Sequence, residues 1–171
     1  MLAEENPKLD QLKALMHHRE PMILLDEVLY CEQGRARLAV TINLQSAFFN
    51  QELGGVPAWV GIEYMAQAIT AWSGSRQVAQ GLPVTVGFLL GARRYQSELP
   101  CFNNGSRLFV DIDVLYVDAS GLSAFDCTIS DVSERGALTV LASARINAFR
   151  PENPEQFVHG EKDNEAVINQ Q

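Results

Sequence analysis

The sequence predicts an α+β domain in which an antiparallel sheet wraps around one long buried helix. Two observations carry this. Residues 57–80, PAWVGIEYMAQAITAWSGSRQVAQ, form a long run that is apolar on nearly every side, with no basic residue before Arg76 and Pro57 suited to a first helical turn. Four period-two segments then follow at 85–95, 107–117, 122–132 and 137–149. A helix without a polar stripe must be buried, and consecutive strands joined by short turns supply the sheet that buries it.

The remaining elements follow in chain order. Leu9, Leu12, Leu15 and Met16 recur at helical spacing behind Pro7, which predicts a short amphipathic helix over 8–16 that stops near Pro21. An apolar run at 22–29 is broken by Asp26 and Glu27. In 35–44, Ala36, Leu38, Val40 and Ile42 alternate with Arg35, Arg37, Ala39 and Thr41, the pattern of a half-buried strand. The separators Asn103-Asn104-Gly105, Asp118-Ala119-Ser120-Gly121 and Ser133-Glu134-Arg135-Gly136 favour hairpins between the later strands. Residues 1–150 are expected to form a single domain with its N-terminal helix, and 151–171 a polar acidic tail.

Composition limits function. A length of 171 residues with 47% hydrophobic and 20% charged residues is ordinary globular usage. The formal net charge of −8 has the wrong sign for a protein held to nucleic acid by phosphate neutralisation. No stretch approaches the roughly twenty apolar residues of a membrane span, so no membrane partner and a cytoplasmic location are expected. Cys31, Cys101 and Cys127 are far apart and lack Cys-x-x-Cys or His at ligand spacing, so they read as reduced thiols and no metal is expected.

Glu63 is the residue that asks for a chemical explanation. It stands alone in a helix otherwise uncharged from 57 to 75. A carboxylate there is either paired and hydrogen-bonded or has its pKa raised by burial, and an upward-tuned carboxyl suits a general acid or base near neutral pH. Trp59, Tyr64, Trp72 and Phe88 are the aromatic residues around it. Trp72 reads as core, while Trp59, one turn before Glu63, reads as a candidate wall of a substrate tunnel together with Tyr64 and Phe88.

The stretch FFNQELGGVPAWVGIEYMAQA resembles the active-site segment of the FabZ/FabA-type 3-hydroxyacyl-acyl carrier protein dehydratases. Upstream, MHHREPMILLDEV resembles their opening motif and first strand, and downstream GARRYQSELPCFNNGSRL resembles the strand-loop-strand after the helix. The resemblance spans roughly residues 15–150 and implies the hot dog fold, a helix wrapped by a sheet. It is most similar to the short dehydratase-like subunits of aryl polyene gene clusters, in which two small proteins act together.

That resemblance assigns roles. Glu63 takes the place of the helix acid that works opposite a histidine, and the Ala58 N–H takes that of the helix-start donor that polarises the thioester carbonyl. Where the family has its loop histidine this chain has Glu52, in a loop that looks three residues shorter. His17 and His18 fall in the opening motif and His159 in the tail, and all three read as loop or surface residues. The resemblance therefore implies a dimer, and a heterodimer in which a hot dog partner supplies the histidine. Arg93 and Arg94 are candidates for docking an acidic acyl carrier protein, with Arg35, Arg37 and Arg107 behind them. The expected reaction is dehydration of a 3-hydroxyacyl-acyl carrier protein to the trans-2-enoyl form without a cofactor. A thioesterase and a catalytically silent partner subunit are the competing readings.

Overall fold

The computed structural model describes residues 7–132 and 136–151. The expected acidic tail lies outside the described residues except for Pro151. The first element is helix α1, Pro7–Leu15, followed by strands β1, Glu27–Cys31, and β2, Arg35–Thr41. A short strand β3, Gly55–Pro57, leads through one 3-10 turn, Ala58–Val60, into helix α2, Gly61–Ala79. Then come β4, Phe88–Ser97, β5, Cys101–Asn103, β6, Arg107–Val117, β7, Leu122–Val132, and β8, Leu138–Phe149.

Six strands form one antiparallel sheet in the order β1-β2-β6-β7-β8-β4, and β3 pairs with β5 in a separate two-stranded ribbon. Alternation decides which face meets the helix. Leu38 and Val40 of β2, Leu108, Val110 and Ile112 of β6, Cys127 and Ile129 of β7, and Ala144 and Ile146 of β8 are buried with Tyr64, Met65, Ala68 and Trp72 of α2. Arg37, Asp111, Thr128 and Ser143 stand in register across the opposite face, where Arg37 holds Asp111 through two bonds of 2.6 and 3.1 Å.

The helix ends where the backbone says it should. Gly81 takes φ +69° just beyond the last turn, its N–H donates to Val78 O at 3.0 Å, and Leu82 N–H reaches back to Gln77 O at 2.9 Å. This left-handed closure is one that glycine adopts without strain. At Gly74 the reason for glycine is contact. An added Cβ would lie 1.9 Å from the Leu15 carbonyl oxygen, so α1 and α2 approach backbone to backbone there.

Two expectations about the sheet need correction. Asn103-Asn104-Gly105 does not join β4 to β6 in a hairpin. It turns β5 into β6, while β4 crosses to pair with β8 at the far edge. The strand expected at 85–95 begins and ends later, at Phe88–Ser97, because Thr85 is taken by the helix. The Gln77 side chain donates to Thr85 Oγ1 at 2.8 Å and accepts from Thr85 N–H at 3.2 Å.

Candidate functional site

One face of α2 is not packed on the sheet. Glu63, Ala66, Thr70, Ser73 and Arg76 follow each other at helical spacing along the wall of a pocket of about 320 Å³. Phe88 and Leu89 from the start of β4, Phe125 of β7, and Ile146 and Phe149 of β8 line the other side. The interior is mainly apolar, and its ionisable lining groups are His18, Glu63, Arg76 and Arg150.

The Glu63 end is built by the segment between α1 and β1. Arg19 donates through Nη1 to the carbonyls of Met16 at 2.9 Å and His18 at 2.7 Å, and a His17 ring nitrogen lies 2.8 Å from Val84 O. Gln67, fully buried one turn after Glu63, accepts from Leu24 N–H at 2.9 Å and donates to Met22 O and Glu63 Oε1, both at 2.8 Å. The segment is thereby fixed across α2, and His18 Nε2 stands 3.5 Å from Glu63 Oε1. His18 Nδ1 is buried with no hydrogen-bond partner among the described residues.

Of the two alternatives for Glu63, paired and hydrogen-bonded or raised in pKa, these contacts select the first. A hydrogen bond from His18 holds Glu63 below its ordinary value, and a second from Gln67 adds to it, together outweighing the opposing effect of burial. Glu63 is thus an ionised, half-exposed carboxylate beside an imidazole. The side chains retain 38% and 32% of their accessible surface, enough to be reached from the pocket.

The other sequence-predicted residues sort clearly. Phe88 lines the pocket as expected. Trp59 does not. It leaves the 3-10 turn into solvent, 62% exposed, edge-on to Phe48 at 5.7 Å, because a 3-10 turn advances each residue further around the axis than an α-helix does. Tyr64 does not either, since it is buried against Phe102 on another side of α2. Trp72 is core, as read, but its ring is also part of the pocket wall. Ala58 cannot offer its N–H to a thioester in this arrangement, for it donates to Pro100 O at 2.9 Å, and the Ala58 carbonyl accepts the Tyr95 hydroxyl. Glu52 is exposed in the turn before β3.

Arg93 and Arg94 are exposed in the second half of β4, some four residues or roughly 13 Å along the strand from the pocket-lining Leu89. None of the ion pairs among the described residues engages them. Arg35, Arg37 and Arg107 are each occupied by an acid, respectively Glu32, Asp111 and Glu27. The sequence reading missed His18, Gln67, Arg76 and Arg150. The repeated spacing from Glu63 to Arg76 was visible in the sequence. The approach of His18, 45 residues upstream of Glu63, was not.

The model of one family, described as ApeP-like, ApeP dehydratase, matches residues 10–159. The chain belongs to the ApeP-like dehydratases. Among solved structures, a chain of the dehydratase heterocomplex ApeI:P from Xenorhabdus doucetiae is 31% identical, with 86% of this chain and 95% of that one covered and a TM-score of 0.78. A protein of Streptococcus mutans UA159 bound to acetyl CoA is 15% identical over 78% of this chain and 94% of that one, at TM-score 0.56. A hypothetical thioesterase from Streptococcus pneumoniae TIGR4 with coenzyme A is 12% identical over 72% and 83%, at 0.54. These last two share the fold alone. A search of curated proteins returns no match. The ApeP-like chain thus has the hot dog fold, and dehydration is the reaction class of its family. No helix among its described residues is long and apolar enough to cross a membrane.

Proposed function

We propose that this chain is the acid-bearing subunit of a cytoplasmic heteromeric dehydratase that converts 3-hydroxyacyl groups on an acyl carrier protein to trans-2-enoyl groups. The observation that carries the reading is the Glu63 carboxylate, paired with His18, at one end of an apolar pocket that follows α2. Elimination needs a base for the C2 proton and a proton for the departing C3 hydroxyl. The C2 proton passes to a histidine of the hot dog partner, the C2=C3 bond forms as the C3–O bond breaks, and the hydroxyl leaves as water. Glu63, already ionised, holds the 3-hydroxyl by accepting its hydrogen bond, and the proton that completes the departing water is delivered through the adjacent His18–Glu63 pair.

The partnership has two supports. A relative of known structure, 31% identical, is part of a heterocomplex. Among the described residues β4 has a hydrogen-bonded strand on one side only, β8, and it exposes Leu89 and Leu90, 47% and 54% accessible. A second hot dog subunit would cover that edge. Arg93 and Arg94, without acidic partners among the described residues, are the proposed contact for the carrier protein.

The test is dehydration of a short 3-hydroxyacyl carrier-protein substrate by the chain together with a histidine-bearing hot dog partner, followed by mass spectrometry of the acyl group. Loss of one water is expected, abolished by Glu63→Gln with the fold intact. Free carrier thiol would mean a thioesterase, and an unchanged rate in Glu63→Gln would mean a silent subunit. Full activity of the isolated chain would overturn the shared site.

A further inference from the structure

The two ends of the pocket differ in charge. Opposite Glu63, Arg76 closes the α2 side, its guanidinium carbon 5.2 Å from the centre of the Trp72 ring and its Nη1 3.3 Å from Gln33 O. Arg150, just past β8, places Nη1 3.4 Å from Ser73 Oγ, one turn before Arg76. Both residues line the pocket, and neither takes part in an ion pair with a carboxylate among the described residues. In the same residues Arg35, Arg37, Arg107 and Arg145 are each paired with an acid. Two arginines that line one end of a cavity, neither paired with an acid among the described residues, suit an oxyanion.

The spacing between the ends is set by α2. Arg76 lies thirteen residues beyond Glu63 on the same face, about 20 Å along the axis. An extended covalent chain advances about 1.2 Å per bond, so about sixteen bonds span that distance.

We propose that Arg76 and Arg150 form an oxyanion subsite that anchors the substrate about 20 Å from Glu63. The inference rests on the carrier-borne substrate proposed above. Two groups on substrates of this class have this chemistry, the first on every one and the second only where the acyl chain ends in an acid. One is the phosphate of the pantetheine arm, about sixteen bonds from the reacting C3. The other is a carboxylate at the remote end of the acyl chain. In either case the reacting carbons reach Glu63 only when the anion is seated, and the pocket measures the distance between them.

Binding to the full chain, followed by calorimetry, tests the subsite without requiring turnover. Short 3-hydroxyacyl pantetheine is compared with its phosphopantetheine counterpart, and a long methyl-ended 3-hydroxyacyl pantetheine with the same chain ending in carboxylate. One anionic probe should bind at least tenfold more tightly than its neutral counterpart. That gain should weaken with salt and vanish in the double variant Arg76→Gln/Arg150→Gln. A gain from phosphate assigns the site to the carrier arm, and a gain from carboxylate assigns it to the acyl end. Arg150→Gln alone, a change at the surface, should lower the gain at least threefold and keeps the test open where the double variant fails to fold. No gain from either anion, or a gain that survives the substitutions, overturns the subsite. Dehydration is measured separately. Anion-dependent binding without turnover would count against the proposed reaction alone, and turnover without any anion effect against the subsite alone.

Discussion

Replacing Gln67 by Leu changes volume little and removes three hydrogen bonds at once. The first consequence is an orphaned Leu24 N–H, which is buried with its residue and has Gln67 Oε1 as its acceptor. A buried donor left unpaired costs about 1–3 kcal/mol. The bonds to the Met22 carbonyl and the Glu63 carboxylate lie nearer solvent, where water replaces much of what is lost, so together they add about 1 kcal/mol. A destabilisation of about 3 kcal/mol follows, a factor of roughly 150 in the folding equilibrium. Urea unfolding followed by tryptophan fluorescence should show the midpoint falling while its slope stays constant. Turnover should fall as well, because the 17–25 segment that carries His18 is released from α2. Gln67→Glu sharpens the test. It keeps the shape, loses both donor hydrogens and sets a second carboxylate against Glu63, so it should also destabilise. A loss below about 0.5 kcal/mol in Gln67→Leu, or a Gln67→Glu protein as stable as the parent, would refute the idea that this amide ties the segment to the helix.

Two further substitutions probe the same neighbourhood. His18→Asn removes the largest influence holding Glu63 below its ordinary value of 4.5 and leaves the effect of burial, so the carboxyl should titrate higher. Because the folded-state pKa is depressed, the stability contributed by Glu63 is complete above its unfolded value and is lost as pH falls through the folded one. The variant should lose the larger part of that contribution, the Gln67 bond remaining, and the acid limb of its kcat/KM profile should move to higher pH, whereas an unmoved limb would remove His18 from the site. Gly74→Ala sets a methyl group 1.9 Å from the Leu15 carbonyl oxygen and 2.7 Å from its carbon. Backbone has to yield, so a loss of about 3 kcal/mol is expected in denaturant unfolding, with faster hydrogen exchange in α1. A neutral result would mean that the two helices do not meet there.

The sheet was legible in the sequence where one face is buried and the other wet. In β6, Leu108, Val110 and Ile112 are buried and Asp111 and Asp113 face out, and the period of two shows through. The three-residue strands β3 and β5 are too short to display any period. The partner of β4 could not be read either, because its pairing with β8 joins segments some fifty residues apart and the connecting turns say only that hairpins are available. Glu63 was visible because a charge in an apolar helix is expensive, but the direction of its pKa depended on His18 and Gln67. His18 is brought to it by bonds of Arg19 and Gln67 to backbone carbonyls, which no side-chain pattern records. Trp59 falls outside the pocket because its spacing from Glu63 runs through a 3-10 turn and not an α-helix.

The chemistry of the pocket follows from a conflict within α2. A helix enclosed by a sheet gains stability from apolar side chains on every face, yet this one carries Glu63, Gln67, Thr70, Ser73, Arg76 and Gln77. Gln67 and Gln77 are buried, each tying a neighbouring segment to the helix through backbone and side-chain bonds. Glu63, Thr70, Ser73 and Arg76 keep a face that the sheet does not cover. Burying them against strands would cost several kcal/mol for each unpaired charge, so the sheet stands off and leaves the cavity. The buried amides secure the His18 segment and the approach to β4, and the uncovered row supplies a carboxylate and a guanidinium at opposite ends of an apolar channel. Apolar replacement of Arg76 should therefore cost the fold little while it removes the cationic end of the channel, as expected of a residue held for its chemistry.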